Sequence, residues 1–182
     1  MEIDGNKSNT VFGALKHYPN LYMHPIMLYN ANKDYNAIKA SDGELEYQYS
    51  RLPYTLNPYQ KSDVRHPFTN ALFVRDYPED FVRDLGKFKE EVDLQNGRTT
   101  EDSAGDLKNN EYGITLGQRY LFAPNTFLFD NVLQHSKLPV TPRDGVLYGY
   151  VDNFPDNEEE LNKWDKEQQN NLYQHLINPT GI

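Results

Sequence analysis

Residues 106–117 read DLKNNEYGITLG, a helical stretch in which small and polar residues recur at helical spacing. Glycine inside a helix costs about 1 kcal/mol relative to alanine, so helices carry it where another element approaches closely. The stretch therefore predicts a close helix–helix contact or the wall of a pocket. One turn of 3.6 residues brings the following residues onto one narrow stripe, flanked by Asn109: Asp106, Asn110, Gly113 and Gly117.

A second polar cluster, DVRHPFTNA, occupies residues 63–71. A histidine beside a guanidinium and a carboxylate can act as a general base or hold an anion, which makes His66 and Arg65 candidate site residues. The alternative is a simple helix start, with Asp63 as the cap and Pro67 in an early helical position. Because a residue that precedes proline is biased away from helical angles, we expect His66 to precede the helix.

The two clusters are expected to face each other or a ligand, because unpaired buried polar groups cost about 1–3 kcal/mol each. Asp106, Asn109 and Asn110 supply acceptors and donors that can pair with Arg65 and His66. A buried polar network that only fixes helix packing is an equally good interpretation. The site hypothesis requires the imidazole of His66 to meet the carboxylate of Asp106 in the folded molecule.

Hydrophobic spacing along the chain predicts a mainly α fold, a compact helical bundle with at most a small strand element near 146–151. A length of 182 residues fits a single domain over 1–182. Asp102 or Ser103 is expected to cap the helix that carries the stripe, and a turn-rich linker is expected at 53–63. Helices are predicted at 8–16, 24–41, 43–52, 66–76, 78–94, 103–121, 127–135 and 156–177.

Composition excludes several classes of function. The net charge of -9 argues against nucleic acid as a partner, because phosphate binding needs clustered lysine and arginine. The absence of cysteine excludes disulfides, thiol nucleophiles and thiolate metal sites. No apolar run approaches the roughly 18 residues of a membrane span, so none is expected. The polar, acidic start is not that of a Sec signal peptide, which leaves the cytoplasm, export by another route, or a fragment of a longer protein.

Short-range motifs for other chemistry are missing. His24, His66 and His135 lie far apart, and no HxxxH, HExxH or HxH spacing occurs. Neither a Gly-x-Ser-x-Gly elbow nor a phosphate-binding glycine loop is present. We therefore predict no metal and no cofactor.

Taken in order, the motifs resemble a bacterial domain family of unassigned function found in polymorphic toxins, wall-associated proteins and other secreted effectors. Its pattern is a His-Pro helix, an Arg-His-x-x-x-Asn-Ala helix, a helix carrying His-Glu, and Asp-Leu-x-Asn-Asn-x-x-Gly. The resemblance covers about residues 20–120, and the C-terminal extension, about 124–182, has no counterpart. The matching residues are His24 and Pro25, then Arg65, His66, Asn70 and Ala71, then Asp106, Leu107, Asn109, Asn110 and Gly113.

The chain departs from this pattern in three places. Thr69 stands where the family usually has tryptophan, and Pro67 where it prefers a small helical residue. The helix expected to carry His-Glu reads GKFKEE at 86–91, so the histidine is missing and only Glu90 or Glu91 can supply the acid. These departures indicate a divergent member, and an inactive one if the chemistry needs two histidines.

The resemblance implies an effector or toxin-type domain, and hydrolysis of a cell-envelope component is the reaction that we expect. His66 would act as the base, Asp106 would orient it, and Arg65 would steady an anion. Substrate binding is assigned to four further residues: Asn70, Asn109, Asn110 and Glu90.

The alternative is a non-catalytic protein-binding module, of the immunity or adaptor type. Its interface would be an acidic surface rich in tyrosine, a residue that is enriched at protein interfaces. On either hypothesis a protein partner is expected, such as a cognate immunity or delivery protein. The candidate interface tyrosines are Tyr22, Tyr29, Tyr35, Tyr47, Tyr49, Tyr54 and Tyr59.

Overall fold

Helices make up most of the molecule, and the predicted mainly α fold is confirmed. The computed structural model describes residues 13–137, 150–151 and 158–177. Among these residues, no helix has both the length and the apolar character that crossing a membrane requires. The helices are α1 (Pro19–Tyr22), α2 (Pro25–Lys39), α3 (Glu44–Ser50), α4 (Pro58–Asp76), α5 (Glu79–Gln95), α6 (Thr100–Arg119), α7 (Asn125–His135) and α8 (Glu158–Ile177).

A small antiparallel pair of two-residue strands is the only β structure among the described residues. It joins β1 (Ser136–Lys137) to β2 (Tyr150–Val151). The strand predicted at 146–151 is therefore seen at its last two residues, and 146–149 lie outside the described residues. The same is true of residues 8–12 in the first predicted helix and of 156–157 in the last.

The α4–α6 pair forms the centre of the fold, and it is held at very short range. A β-carbon at Gly113 would lie 2.1 Å from the Pro67 carbonyl oxygen. One at Gly117 would lie 2.2 Å from the carbonyl oxygen of Ala71. Only glycine fits at such distances, so the glycine stripe marks the close helix–helix contact that the sequence predicted.

Hydrophobic side chains cover the central pair on two sides. On one side Phe68 packs against Phe129 of α7, edge to face, with ring centroids 5.3 Å apart. On the other side Phe73 and Ile114 pack with Phe81 of α5. Helices α4, α5 and α6 contact one another between the two apolar clusters. The polar residues of the α6 stripe lie at this contact.

Helix α4 begins earlier than predicted, which corrects two expectations. The second half of the predicted linker is helical, because Asn57 and Gln60 form a reciprocal capping box (both N–H···O distances 3.0 Å) and Pro58 opens the helix. Pro67 consequently lies inside the helix, and His66 is helical instead of preceding it. Proline removes one backbone hydrogen bond there, a cost that the tight contact with α6 offsets.

The cap of α6 also differs from the expectation. Thr99 is the N-cap, and its hydroxyl accepts a hydrogen bond from the Asp102 backbone N–H at 3.2 Å. Asp102 and Ser103, the predicted caps, lie within the first turn. Ser103 is buried, so its hydroxyl faces the protein interior.

Gly117→Ala is expected to lower the free energy of unfolding by about 1–3 kcal/mol or more, because the added methyl group meets backbone atoms that cannot turn away. Chemical denaturation measures this change. Gly13→Ala is the matched control: a β-carbon there has open space, so a neutral or slightly stabilising effect is expected. Equal effects of the two substitutions would refute the close contact.

Candidate functional site

Three helices bring one imidazole and two carboxyl groups together in the interior. His66 comes from α4, Glu90 from α5 and Asp106 from α6. His66 Nε2 lies 3.4 Å from Asp106 Oδ2, and one ligand atom from each of the three side chains lies within 4.8 Å of the others. The imidazole and the carboxylate therefore meet, as the site hypothesis required.

A chain of hydrogen bonds determines which His66 nitrogen carries the proton. Asn70 Nδ2 donates to the His66 carbonyl oxygen and to Asn110 Oδ1, both at 2.8 Å. These donations orient the two amides, so Asn110 presents an acceptor to His66 Nδ1, which lies 3.2 Å away. His66 Nδ1 is then the donor, and Nε2 keeps a lone pair directed towards Asp106.

The guanidinium that pairs with Asp106 comes from Arg98, a residue that sequence reasoning missed. Arg98 Nη1 lies 3.1 Å from Asp106 Oδ2 and 3.1 Å from Asp102 Oδ2. Gly97, at φ 93°, forms the turn before it in a conformation that favours glycine. The sequence identified this segment only as a connecting loop, and no local signal links it to Asp106.

Two predicted site residues take other positions. Arg65 donates to Ser62 Oγ at 3.0 Å and lines the cavity beside His66, and among the described residues it forms no ion pair with Asp106. Asn109 is buried but does not line the cavity. The amide that contacts His66 is therefore Asn110.

The sequence offered two neighbouring acids for the site, Glu90 and Glu91, and Glu90 is the one that reaches it. Its side chain is only 2% exposed, and neither carboxyl oxygen makes a hydrogen bond of good geometry with the described residues. Glu91 lies outside the cavity, is partly exposed, and accepts a hydrogen bond from the Tyr18 hydroxyl at 3.0 Å. A buried carboxyl group with so little hydrogen bonding is costly, which makes Glu90 a candidate functional residue.

A cavity of about 380 Å³ ends at this cluster. Leu28, Phe73 and Phe88 contribute to its apolar walls, and His66 and Glu90 lie at its polar end. Ligand sites in proteins commonly have about 300–1,000 Å³, mostly apolar walls and a few convergent polar groups. The cavity has the size and the lining of a small-molecule or side-chain binding site.

Burial sets the protonation states of the cluster. It lowers the pKa of His66 to about 3, helped by the Arg65 charge and opposed by the Asn110 hydrogen bond. It raises the pKa of Asp106 to about 7, and the Glu90 charge adds to that rise. Burial also raises the pKa of Glu90. At neutral pH the imidazole is uncharged, and Asp106 is the carboxyl group whose pKa lies near neutrality.

The cluster has the composition of a metal-binding site. An imidazole nitrogen and two carboxylate oxygens suit divalent ions such as Zn²⁺ and Mn²⁺. The sequence predicted no metal because its histidine spacings match no known motif. Residues 66, 90 and 106 are brought together by three separate helices, and a spacing within one helix cannot reveal such a group.

Comparison of the chain with protein-family models, with curated proteins and with solved structures found no match.

The His66 ring is expected to hold its proton on Nδ1 and to remain uncharged between about pH 5 and 8, because burial keeps its pKa near the low end of the scale. Nitrogen chemical shifts of the ring, measured by NMR across that range, test both points. Asn110→Ala removes the acceptor and should mix the two neutral tautomers. A wild-type ring that titrates with the ordinary histidine pKa of about 6.5 would contradict the buried geometry.

Proposed function

We propose that the chain is a hydrolytic domain of the bacterial effector type, acting on a cell-envelope component bound in the cavity. One observation carries the proposal: Glu90 is buried at the end of a cavity with only the Ser103 hydroxyl near it and no hydrogen bond of good geometry, beside a second carboxyl group and a neutral imidazole. A fold gains no stability from such a group. Perturbed carboxyl groups in clefts are typical of acid–base catalysis.

The arrangement suggests different roles from those expected from the sequence. With its pKa lowered to about 3, His66 is too weak a base to remove a proton from water at neutral pH. Glu90 faces the cavity, and its ionised form can accept that proton as the water oxygen attacks the substrate. Protonated Asp106 can donate to His66 Nε2, so Asp106 is a positioning residue that controls the charge next to Glu90.

Cationic groups at the cavity can stabilise negative charge on the substrate. Arg65 and Lys89 both line it, and Lys89 also pairs with Asp93. Asn70 lines it too, but both of its N–H groups already donate within the protein, so it helps to shape the wall. Donors aimed at a developing oxyanion are a common source of rate enhancement in hydrolases. The cell envelope as the source of the substrate follows from the resemblance to secreted effector domains.

Expression of the wild-type chain in the cytoplasm or the periplasm of a test bacterium is expected to arrest growth, and Glu90→Gln is expected to relieve the arrest. The substitution keeps the shape of the side chain and removes the group that accepts the proton. Colony counts after induction measure the effect.

Glu91→Gln is the matched control for this test, because it makes the same chemical change one residue away and outside the cavity. It should leave the arrest intact, at equal protein levels by immunoblot. Equal toxicity of Glu90→Gln and the wild type, or harmless expression of all three, would refute the hydrolytic proposal.

Protein binding is a second candidate function, favoured by an exposed apolar patch on α1 and α2. Ile26 and Tyr29 are 77% and 70% exposed, and Tyr22 and Met23 extend the patch. Exposed apolar patches of this kind often mark interaction sites. Other predicted interface tyrosines are placed differently: Tyr35 lines the cavity, and the Tyr49 hydroxyl donates to the Lys61 carbonyl oxygen.

A binding module would retain a bacterial partner in pull-down experiments, and Ile26→Ser with Tyr29→Ser should abolish retention, because both side chains supply exposed apolar area. The Glu90→Gln chain should retain the partner at the wild-type level. Loss of retention with Glu90→Gln, and not with the double substitution, would point to the cavity instead of the patch.

A further inference from the structure

The His66 cluster presents hydrogen-bond acceptors towards a common point. Because Nδ1 donates to Asn110, the lone pair of His66 Nε2 faces the Asp106 carboxyl group at 3.4 Å. Both oxygens of Glu90 are buried without a hydrogen bond of good geometry. Acceptors that converge in this way repel one another unless a proton or a cation lies between them.

We propose that His66 Nε2 and the carboxylates of Glu90 and Asp106 bind one divalent transition-metal ion, for which Zn²⁺ is the best fit. In assigning the ion to a hydrolytic site this inference rests on the proposed function, and it changes the roles given there. With the ion bound, Glu90 and Asp106 would be ionised ligands, and the ion would supply the activation of water. The binding itself does not rest on the proposed function. The choice of Zn²⁺ follows from the donors, since one imidazole with two carboxylates is a combination that zinc accepts readily.

The distances fit such an ion. Zinc ligands at about 2.1 Å in a tetrahedral arrangement lie about 3.4 Å apart. The separation of His66 Nε2 from Asp106 Oδ2 is 3.4 Å, and the ligand atoms of all three residues lie within 4.8 Å of one another. A small rotation of the Glu90 side chain, which no hydrogen bond of good geometry holds in place, completes the three-ligand set.

The local charge also favours a divalent cation. When all are ionised, five carboxylates and three cations act on the cluster, which leaves a surplus of two negative charges. A divalent ion neutralises this surplus. The carboxylates are Asp63, Glu90, Asp93, Asp102 and Asp106, and the cations are Arg65, Lys89 and Arg98.

The surrounding hydrogen bonds have the pattern found around bound metals. A histidine ligand usually donates its other ring nitrogen to a fixed acceptor, as His66 does to Asn110. Carboxylate ligands are themselves hydrogen-bonded, as Asp106 is to Arg98 at 3.1 Å. A carboxylate oxygen has two lone pairs, so Asp106 can keep Arg98 and bind the ion at once.

Three protein ligands leave a coordination position for a small molecule, which is the arrangement of catalytic zinc sites. His66 and Glu90 both line the cavity, so that position faces the space where a substrate would bind. Asp106 lies behind them and closes the site from the protein side, since it is not part of the cavity wall.

Zinc binding by the purified full chain, first stripped with a chelator, tests the inference. Competition with a chromophoric chelator is expected to give one Zn²⁺ per chain. Glu90→Gln and Asp106→Asn should each weaken binding by about tenfold or more, since even outer-shell substitutions cost about 10–100-fold. Glu91→Gln should bind as the wild type does.

Two further measurements separate loss of the site from loss of the fold. In chelator, Glu90→Gln should melt no lower than the wild type, because it removes a buried unpaired charge, and Zn²⁺ should raise the melting temperature of the wild type only. In NMR spectra Zn²⁺ should shift the His66 Nε2 resonance while Nδ1 keeps its proton. Unchanged affinity in Glu90→Gln, or an Nε2 resonance that zinc leaves unmoved, would overturn the inference.

These outcomes are independent of the growth assay. Stoichiometric zinc binding by a chain that does not arrest growth supports the metal site and refutes the hydrolytic effector function. Growth arrest that Glu90→Gln relieves, in a chain that binds no zinc, supports the hydrolytic function and overturns the metal site.

Discussion

The contact between α4 and α6 constrains everything else in this protein. With no β-carbon on Gly113 and Gly117, the α6 backbone reaches the carbonyl oxygens of Pro67 and Ala71. His66 directly precedes one of these contact residues, and Asn110 lies one turn before the first glycine. Since interiors are packed to crystal-like density, a contact this close keeps the two side chains within hydrogen-bond distance, and Asn70 orients the Asn110 amide.

The polar groups of the site are fully hydrogen-bonded on the Nδ1 side of His66 and not on the Nε2 side. On the Nδ1 side of His66, Asn70 and Asn110 complete a chain of hydrogen bonds that ends on a backbone carbonyl oxygen. On the Nε2 side, Asp106 pairs with Arg98, but the two Glu90 oxygens lack hydrogen bonds of good geometry. A half-satisfied polar network is less stable than an apolar core, so the asymmetry argues for a ligand or a reaction on the second side.

Some features could be predicted because they depend on local spacing. The stripe on α6 is visible as a helical repeat, and the capping box of Asn57 and Gln60 is likewise a local pattern of the sequence. Pro67 misled the prediction, since its local bias against helix at His66 is weaker than the cap upstream and the packing around it. Glu90 and Glu91 are alike in sequence and differ only in which face of α5 meets α6.

The amino-acid sequence by itself determined the helical class, the close-contact stripe and the pairing of two polar clusters, because helical periodicity fixes which residues share a face. Tertiary structure alone decided that Glu90 completes the cluster, that Arg98 and not Arg65 holds Asp106, and that a cavity opens onto His66. The reason is physical. Periodicity shows which side of a single helix is apolar or polar. The burial that shifts a pKa, and the grouping of possible metal ligands, depend on how the faces of α4, α5 and α6 pack together.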